Sequence, residues 1–198
     1  LGGYRVDEEV IRNTRAAVDA LRDAGAVVEE VGLDWSAEAV RHAMFAHFGA
    51  IFAASMEEEA AGHRDVLNDY TLRFIERAQE GAQLGVYAAI RMEAKIATDL
   101  AGVFERNRVL ICPTNSAVGL TAGDPYLWEG PEVGGSPLAD VYDVAMTPPF
   151  NLASRSPVLS VPSGFSAVGI PTGVQVVGSP FDDVSVFQVG AVIEERLA

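Results

Sequence analysis

The sequence is poor in the side chains that carry much of enzyme chemistry. Its 198 residues contain one cysteine, Cys112, one lysine, Lys95, and three histidines. A single cysteine excludes a disulfide within the chain, which fits a reducing cytoplasm. No apolar run reaches the roughly 18 residues that a membrane-spanning helix needs, and the first residues do not resemble a signal peptide. We therefore expect a cytoplasmic protein with no membrane partner.

Positive charge is scarce as well. The chain carries 14 Lys and Arg residues against 28 Asp and Glu, a formal net charge of −14. Such a chain repels phosphate backbones, and it has no basic stripe to overcome that repulsion. The composition therefore predicts no nucleic-acid partner, and solubility is the simpler explanation of the negative charge.

The common motifs of nucleophilic, nucleotide and metal chemistry are missing. There is no G-x-S-x-G, no G-x-G-x-x-G, no P-loop and no H-E-x-x-H. His42 and His47 are five residues apart on an apolar helix, so they lie on different sides of it. Cys112 precedes a proline in an apolar run, which favours a buried apolar role over a nucleophile. We expect no metal and no cofactor, and we expect Lys95 on a helix surface.

What the sequence does have is short aliphatic runs bounded by Pro or Gly. Runs of this kind are typical of strands buried on both faces. The predicted strands are Val109–Cys112, Pro157–Val161, Gly173–Val177 and, earlier in the chain, Ala26–Val31. The last of these follows a helix that Asp7 is predicted to cap and that Gly25 ends. A helix followed at once by a strand indicates an α/β fold.

Helical periodicity dominates the middle of the chain. Apolar residues at helical spacing predict three long helices over about 36–59, 66–79 and 84–107, with a closing helix after Asp182 or Asp183. We expect the three long helices to form a layer over a sheet. No linker divides the chain, so we expect residues 1–198 to form a single α/β unit.

Three motifs of the last third point to a known family. They are ICPTNSAVG, NLASRSPVLSVPSG and GIPTGVQVVGSPF, in this order. They resemble the C-terminal part of the amidase signature family, in which a strand ends in Pro-Thr. An Asn-Leu-x-Gly-x-Pro-Ala-x-x-Val-Pro-x-Gly pattern and a Gly-Leu-Pro-x-Gly-x-Gln-x-x-Gly pattern then follow. Ser154 stands where that family has Gly, and the segment before Pro157 is one residue longer. The resemblance implies a mixed, mostly parallel sheet covered by helices.

The resemblance also shows what is missing. Family members use a serine nucleophile, a second serine in a cis peptide, and a lysine, with both serines in a Gly-Gly-Ser-Ser-Gly-Gly type of stretch. No such stretch occurs here, and Gly134-Gly135-Ser136-Pro137 is the nearest string. The chain also begins at Leu1 rather than Met, as an incomplete fragment of a larger amidase domain would. We therefore expect Ser–Ser–Lys chemistry on an upstream portion, no catalytic residue in this chain, and no activity of the chain alone.

In this interpretation the chain supplies the wall of a pocket for a small linear carboxylic amide. Ligands bind at strand ends in α/β folds, and long loops are often functional. Asp143 lies close to where the A-type subunits of amidotransferases place a substrate-contacting acid. Asn151 and Gln175 are expected to hold loop backbone. The predicted pocket residues are Thr114, Asn115, Ser116, Trp128, Asp143 and Asn151.

Two other interpretations stay open. The chain is a non-catalytic α/β binding or interaction module, or it is a fragment of an amidotransferase A-type subunit. If half of a sheet is missing, an unpaired edge and apolar area are exposed. The expected partners are therefore the small amide substrate, the N-terminal catalytic portion of the same protein and, for the isolated chain, a second copy of itself.

Overall fold

The computed structural model describes residues 1–197. Short 3₁₀ turns lie at Arg64–Val66 and Val141–Val144. The helices are α1 (Glu8–Asp23), α2 (Ala37–Ala60), α3 (Asp69–Leu84), α4 (Val86–Phe104), α5 (Pro148–Ala153) and α6 (Asp183–Leu197). The strands are β1 (Val109–Pro113), β2 (Glu132–Val133), β3 (Ser136–Pro137), β4 (Val158–Phe165) and β5 (Pro171–Gly178). None of the helices within residues 1–197 is long and apolar enough to cross a bilayer.

The main sheet has the strand order β1-β5-β4, and both of its pairings are antiparallel. The α/β class is therefore confirmed, but the mostly parallel arrangement is wrong for the described residues. A short turn joins β4 to β5, with Ser166 N donating to Ile170 O at 2.8 Å, and a hairpin can only be antiparallel. In the register, Gln175 of β5 lies opposite both Cys112 of β1 and Ser160 of β4.

The central strand β5 is the part of the sheet that is buried on both faces. Val174 and Val176 pack with α1 and α6 in one core, and Val177 packs with α4 and α5 in the other. The outer strands β1 and β4 alternate between more and less buried residues instead. The prediction of two-sided burial therefore holds for one strand of the three.

The predicted layer of long helices is present, but only part of it touches the sheet. α4 packs against β1 and α5, while α3 packs on α2. The α2–α3 contact is close because Gly49 and Gly81 face each other's helix. A Cβ at either position would overlap backbone atoms of the opposite helix. Ser36 caps α2 and Asn68 caps α3, each through a side-chain oxygen that accepts a backbone N–H three residues on.

The strand predicted over Ala26–Val31 does not form. This segment has no assigned helix or strand, none of the described strands pairs with it, and Val27 is fully exposed. A strand is defined by hydrogen bonds to a neighbour, so an apolar run without a neighbour stays irregular. The composition of the segment is that of a strand, and the partner is what it lacks.

The two ends of α1 differ in how well the sequence predicted them. Gly25 ends the helix in the left-handed region, with φ of 93°, as predicted. The Asp7 side chain makes no capping hydrogen bond, so that prediction is wrong. It accepts a hydrogen bond from Val118 N at 3.1 Å instead, and Asp7 N donates to Ser116 O at 2.8 Å. Asp7 thereby ties the start of α1 to the segment after β1.

The connection after β1 contains more regular structure than its Gly and Pro content indicated. It includes the β2–β3 hairpin and the turn Val141–Val144. Beyond it, Ser154 ends α5 in the left-handed region with φ of 55°. That conformation favours glycine, which is the residue that the resembling family has at this place.

Candidate functional site

The residues that follow β1 are held against the segment before α5. Thr114 O accepts from Met146 N at 3.0 Å, and Ser116 N donates to Val144 O at 2.7 Å. Ser116 is fully buried, and its Oγ donates to Asp143 O at 3.2 Å. Asn115, between them, is exposed. Of the three predicted pocket residues at this strand end, Ser116 therefore serves the backbone, and Asn115 is open to solvent.

Thr114 stands at the junction of all three strands of the main sheet. Its N–H donates to Gly173 O of β5 at 3.0 Å, and its Oγ1 lies 3.0 Å from Ser160 Oγ of β4. Either hydroxyl can donate in this pair, so each can also turn its proton toward another acceptor. The strand end thus presents two adjacent hydroxyl groups beside the exposed Asn115.

Behind this strand end lies a buried charged cluster that the sequence did not reveal. We call Arg41, Arg77, Asp140 and Asp143 the arginine–aspartate cluster. Arg41 of α2 binds Asp143 and reaches Asp140, with 3.7 Å from its Nε to Oδ2. Arg77 of α3 binds Asp140. All four side chains are largely buried, with two positive and two negative charges that balance each other.

Asp143 is the predicted pocket acid, and its environment limits what it can do. Burial raises the pKa of its carboxyl, and the hydrogen bond and charge of Arg41 oppose that shift. The carboxyl is already engaged by a guanidinium, so a substrate cation would have to displace Arg41. The arrangement suits Asp143 to holding the loop after β3 against α2 and α3.

Aromatic rings cover the cluster. The ring of Tyr142 meets that of Phe45 edge-to-face at 5.1 Å, and the Arg77 guanidinium lies 5.6 Å from the Tyr142 ring centre. Burial is the largest cause that raises the pKa of the Tyr142 hydroxyl well above its usual value. Burial likewise raises the pKa of Tyr4, with the charge of Asp143 adding to the effect. Both phenols are therefore neutral hydrogen-bonding groups at ordinary pH.

Trp128 does not lie in an enclosed pocket. The residue is 75% exposed, and the guanidinium of Arg73 lies over its ring at 5.0 Å. The preceding carbonyl, Leu127 O, accepts from Arg73 Nε at 3.3 Å and from Arg77 Nη2 at 3.4 Å. The loop that carries Trp128 is thus fastened to α3, partly through the arginine–aspartate cluster.

Gln175 holds loop backbone as predicted, whereas Asn151 does not. The Gln175 Nε2 donates to Pro113 O and to Met146 O, each at 2.9 Å, and so joins the end of β1 to the segment before α5. Its Oε1 is buried without a hydrogen-bond partner among residues 1–197. Asn151 is exposed on α5 and makes no side-chain hydrogen bond within that range.

The side chains that could act as nucleophile or base are engaged elsewhere. Lys95 Nζ donates to Asp99 Oδ2 at 2.7 Å on the surface of α4, and Trp35 Nε1 donates to the same oxygen at 2.8 Å. This confirms Lys95 as a helix-surface residue. Burial raises the pKa of the Cys112 thiol to about 12, so it stays protonated. Within residues 1–197, no group of His, Cys, Asp and Glu side chains has the arrangement of a metal site.

The sequence indicated some residues of this site more clearly than others. The buried Gln175 was visible as one polar residue in the apolar run VQVVG, because a buried amide needs partners. The arginine–aspartate cluster had a weaker signal, namely that Arg77 stands between Ile75 and Ala78, which face the core. Its aspartates come from a distant loop that no local pattern connects to α2 or α3.

Comparison with known proteins assigns the family. The family model described as Amidase matches residues 1–187. The chain is 30% identical to the A-type subunit of glutamyl-tRNA(Gln) amidotransferase from Pediococcus pentosaceus, over 97% of this chain and 42% of that protein. This chain therefore spans about two fifths of the length of the curated relative that it matches.

Solved structures share the fold. A bacterial aryl acylamidase of the amidase signature enzymes superposes with a TM-score of 0.84 at 23% identity, over 98% of this chain and 41% of that one. The corresponding A-type subunit of glutamyl-tRNA(Gln) amidotransferase from Thermotoga maritima superposes with a TM-score of 0.65 at 25% identity, over 97% and 40%. With the family model matching nearly the whole length, the chain belongs to the amidase family of amidase signature enzymes.

Proposed function

We propose that this chain is the C-terminal portion of an amide hydrolase. The full protein would cleave a small linear carboxylic amide with a Ser–Ser–Lys set that lies on a portion upstream of these residues. The observation that carries the proposal is the family match over residues 1–187, in a chain that covers only 42% of its curated relative. The family supplies the reaction type, and the length difference leaves room for the catalytic stretch elsewhere.

The chemistry of the described residues supports placing catalysis outside them. A serine becomes a nucleophile only beside a base, and the oxyanion that forms needs preorganised N–H donors. The one lysine is bound to Asp99 on the surface of α4, and the thiol of Cys112 stays protonated. The hydroxyl pair of Thr114 and Ser160 has no base in hydrogen-bond contact among residues 1–197. These groups suit binding and shaping of a pocket.

We assign the pocket wall to the end of β1. Thr114 and Asn115 would contact the amide substrate, because they are the accessible polar groups at this strand end. Ser116, Asp143 and Gln175 would act as positioning residues that hold this strand end in place. Trp128 would form an outer rim, and Asn151 keeps no more than a peripheral role.

The test is reconstitution by fusion. The N-terminal portion of the Pediococcus pentosaceus relative, which is the part that we propose is absent here, is joined to the start of this chain. Hydrolysis of a panel of small aryl and alkyl amides is then measured. We expect turnover by the fusion that disappears when the serines of its Gly- and Ser-rich stretch are changed to alanine. A folded fusion without such turnover on any amide would contradict the proposal.

The second candidate is a fragment of an amidotransferase A-type subunit, favoured by the 30% identity to such a protein. Two fusions separate the two candidates, one with the N-terminal portion of that subunit and one with that of the bacterial aryl acylamidase. Preferred hydrolysis of L-glutamine over aryl and alkyl amides by both fusions would favour the amidotransferase type, and the reverse order in both would favour the hydrolase. The net charge of −14 argues against direct contact of this chain with tRNA.

A further inference from the structure

Two pairs of hydroxyl groups link strands of the main sheet through their side chains. The first pair reaches across β5, with Thr114 Oγ1, just after β1, 3.0 Å from Ser160 Oγ of β4. The second joins β4 to β5, with Ser163 Oγ 2.9 Å from Thr172 Oγ1. We call Thr114 and Ser160 the open pair, and Ser163 and Thr172 the closed pair. The two pairs have the same chemistry and differ in what surrounds them.

The closed pair belongs to the interior of the protein. Ser163 is 3% exposed and Thr172 is 8% exposed. Thr172 Oγ1 also accepts from Asn13 Nδ2 at 2.9 Å and donates to Gly164 O at 3.3 Å. A hydroxyl has one proton and two acceptor lone pairs, so that of Thr172 is fully engaged. The closed pair therefore serves to fasten α1 to the β4–β5 hairpin.

The open pair keeps hydrogen-bonding capacity. Ser160 is exposed and Thr114 is half-buried, and within residues 1–197 neither hydroxyl makes a hydrogen bond other than the one between them. The shared bond uses one proton and one lone pair, so the pair retains a second proton and several acceptor lone pairs. Both groups are neutral, so they suit an uncharged polar ligand.

Gly173 of β5 leaves the open pair uncovered. A Cβ at this position would lie 3.3 Å from Thr114 Oγ1 and 3.4 Å from Ser160 Oγ. Side chains alternate between the two faces of a strand, so Gly173 shares its face with Val177. The core that includes Val177 and residues of α4 and α5 covers that end of the face. The open pair lies at the other end, where Ser160 is exposed.

We propose that the open pair accepts a hydrogen bond from the N–H of the substrate amide, which makes Ser160 a specificity-determining residue. The inference rests on the proposed function, which assigns Thr114 to the pocket wall. The oxygen of the scissile amide requires N–H donors that stabilise an oxyanion. The amide group left for a hydroxyl acceptor is therefore its N–H.

The chemistry of the pair also defines a substrate class. An ester of the same acid has an oxygen in place of the amide nitrogen, so it has no N–H to donate. A site that is built to hydrogen-bond a substrate group disfavours an analogue that lacks the group. The open pair therefore favours primary and secondary amides, which carry an N–H, relative to the corresponding esters.

The experiment uses the fusion that carries the N-terminal portion of the bacterial aryl acylamidase. The specificity constant kcat/KM is measured for an anilide and for the phenyl ester of the same acid. We expect Ser160→Ala to lower kcat/KM about tenfold for the anilide and less than about twofold for the ester, because only the anilide N–H loses an acceptor. Ser160→Thr keeps a hydroxyl and should retain the ratio of the unmodified fusion.

The closed pair supplies the matched control. Ser163→Ala removes a hydroxyl from the same strand, so we expect a lower melting temperature and an anilide-to-ester ratio that is unchanged within about twofold. Equal losses on both substrates in Ser160→Ala, or a change of the ratio in Ser163→Ala as large as that in Ser160→Ala, would overturn the role of Ser160.

A binding measurement tests the open pair without turnover. The isolated chain is titrated with acetamide and with methyl acetate while the backbone NMR signals of Thr114 and Ser160 are followed. We expect these signals to shift at lower concentrations of acetamide than of methyl acetate, and we expect Ser160→Ala to abolish the difference. Equal responses to the two compounds, or no response to either, would overturn the assignment of the open pair.

The outcomes separate this inference from the proposed function. A folded fusion without turnover of any amide contradicts the hydrolase, and the titration then decides the open pair by itself. A fusion that hydrolyses amides, but in which Ser160→Ala affects anilide and ester equally, overturns the role of Ser160 and leaves the proposed function standing.

Discussion

β5 and the segment Ala26–Val31 are similar in composition and opposite in structure. Both are short runs dominated by β-branched and small residues, and both were predicted as strands. β5 has a neighbour on each side and packs on both faces. The segment Ala26–Val31 has no strand of residues 1–197 beside it and stays irregular, with Val27 fully exposed. The difference teaches that strand character in this chain depends on the neighbour as much as on the residues.

The largest difference in unfolding free energy should be seen when a charge is placed in each of these two regions. Val176→Asp buries an unpaired carboxylate in the core between β5 and the helices α1 and α6, where Val176 is 0% exposed. We expect a loss of about 4 kcal/mol or more in the free energy of unfolding, measured by urea denaturation. Val27→Asp is the matched control, with an expected change within about 0.5 kcal/mol. Equal losses would show that the two regions do not differ as described.

Buried and exposed ion pairs should differ in the same way in how much they stabilise the fold. Arg77→Ala leaves Asp140 buried with Arg41, at 3.7 Å, as its remaining charged partner and a hydrogen bond from Tyr142 N, so we expect a loss of about 3 kcal/mol in unfolding free energy. Arg64→Ala breaks an exposed pair with Glu57 and should cost less than about 1 kcal/mol. Chemical denaturation of both variants measures the difference. If Arg77→Ala is as mild as Arg64→Ala, the arginine–aspartate cluster does not stabilise the fold.

A smaller difference in stability should be seen between alanine variants of Gln175 and Asn151, the two side-chain amides that were expected to hold loop backbone. Gln175→Ala removes two hydrogen bonds to buried carbonyls, and we expect a loss of about 2 kcal/mol. Asn151→Ala removes an exposed side chain without such bonds and should change stability by less than about 0.5 kcal/mol. Thermal unfolding of the pair is sufficient. The reverse order of losses would mean that Asn151, and not Gln175, organises this strand end.

The smallest effect concerns the side chains of β1, which pairs with no strand of residues 1–197 other than β5. Because burial raises the pKa of Cys112 to about 12, the thiolate is scarce below that pH. We expect almost no reaction of the native chain with a thiol reagent at pH 8, rising only as the pH approaches 12 or the chain unfolds. The same chain in denaturant is the control. Rapid reaction of the native protein at pH 8 would show that β1 is exposed in its side chains too.

Much of the fold followed from local patterns, because those patterns depend on neighbours in the sequence. Helical spacing located α2 and α4, and Gly25 marked the end of α1. Strand direction did not follow, because it depends on the partner. The Asp7 cap failed for a similar reason, since Val118 from a distant segment takes its carboxylate.

The candidate site was predictable only where one residue was conspicuous. Gln175 stood out as a polar residue in an apolar strand, and the structure gives it the expected carbonyl partners. The arginine–aspartate cluster assembles residues from α2, α3 and the loop after β3, so no single stretch contains it. Trp128 was expected in the pocket wall on its residue type alone, and its contact with Arg73 depends on how that loop folds against α3.

We propose that these residues shape an amide-binding pocket while the catalytic groups lie outside the chain. The most direct test of this proposal is the rate of hydrolysis of small aryl and alkyl amides by the isolated chain and by its Lys95→Ala variant. We predict no turnover above the buffer rate for either protein. Turnover by the isolated chain, and above all turnover that survives the loss of Lys95, would contradict the account.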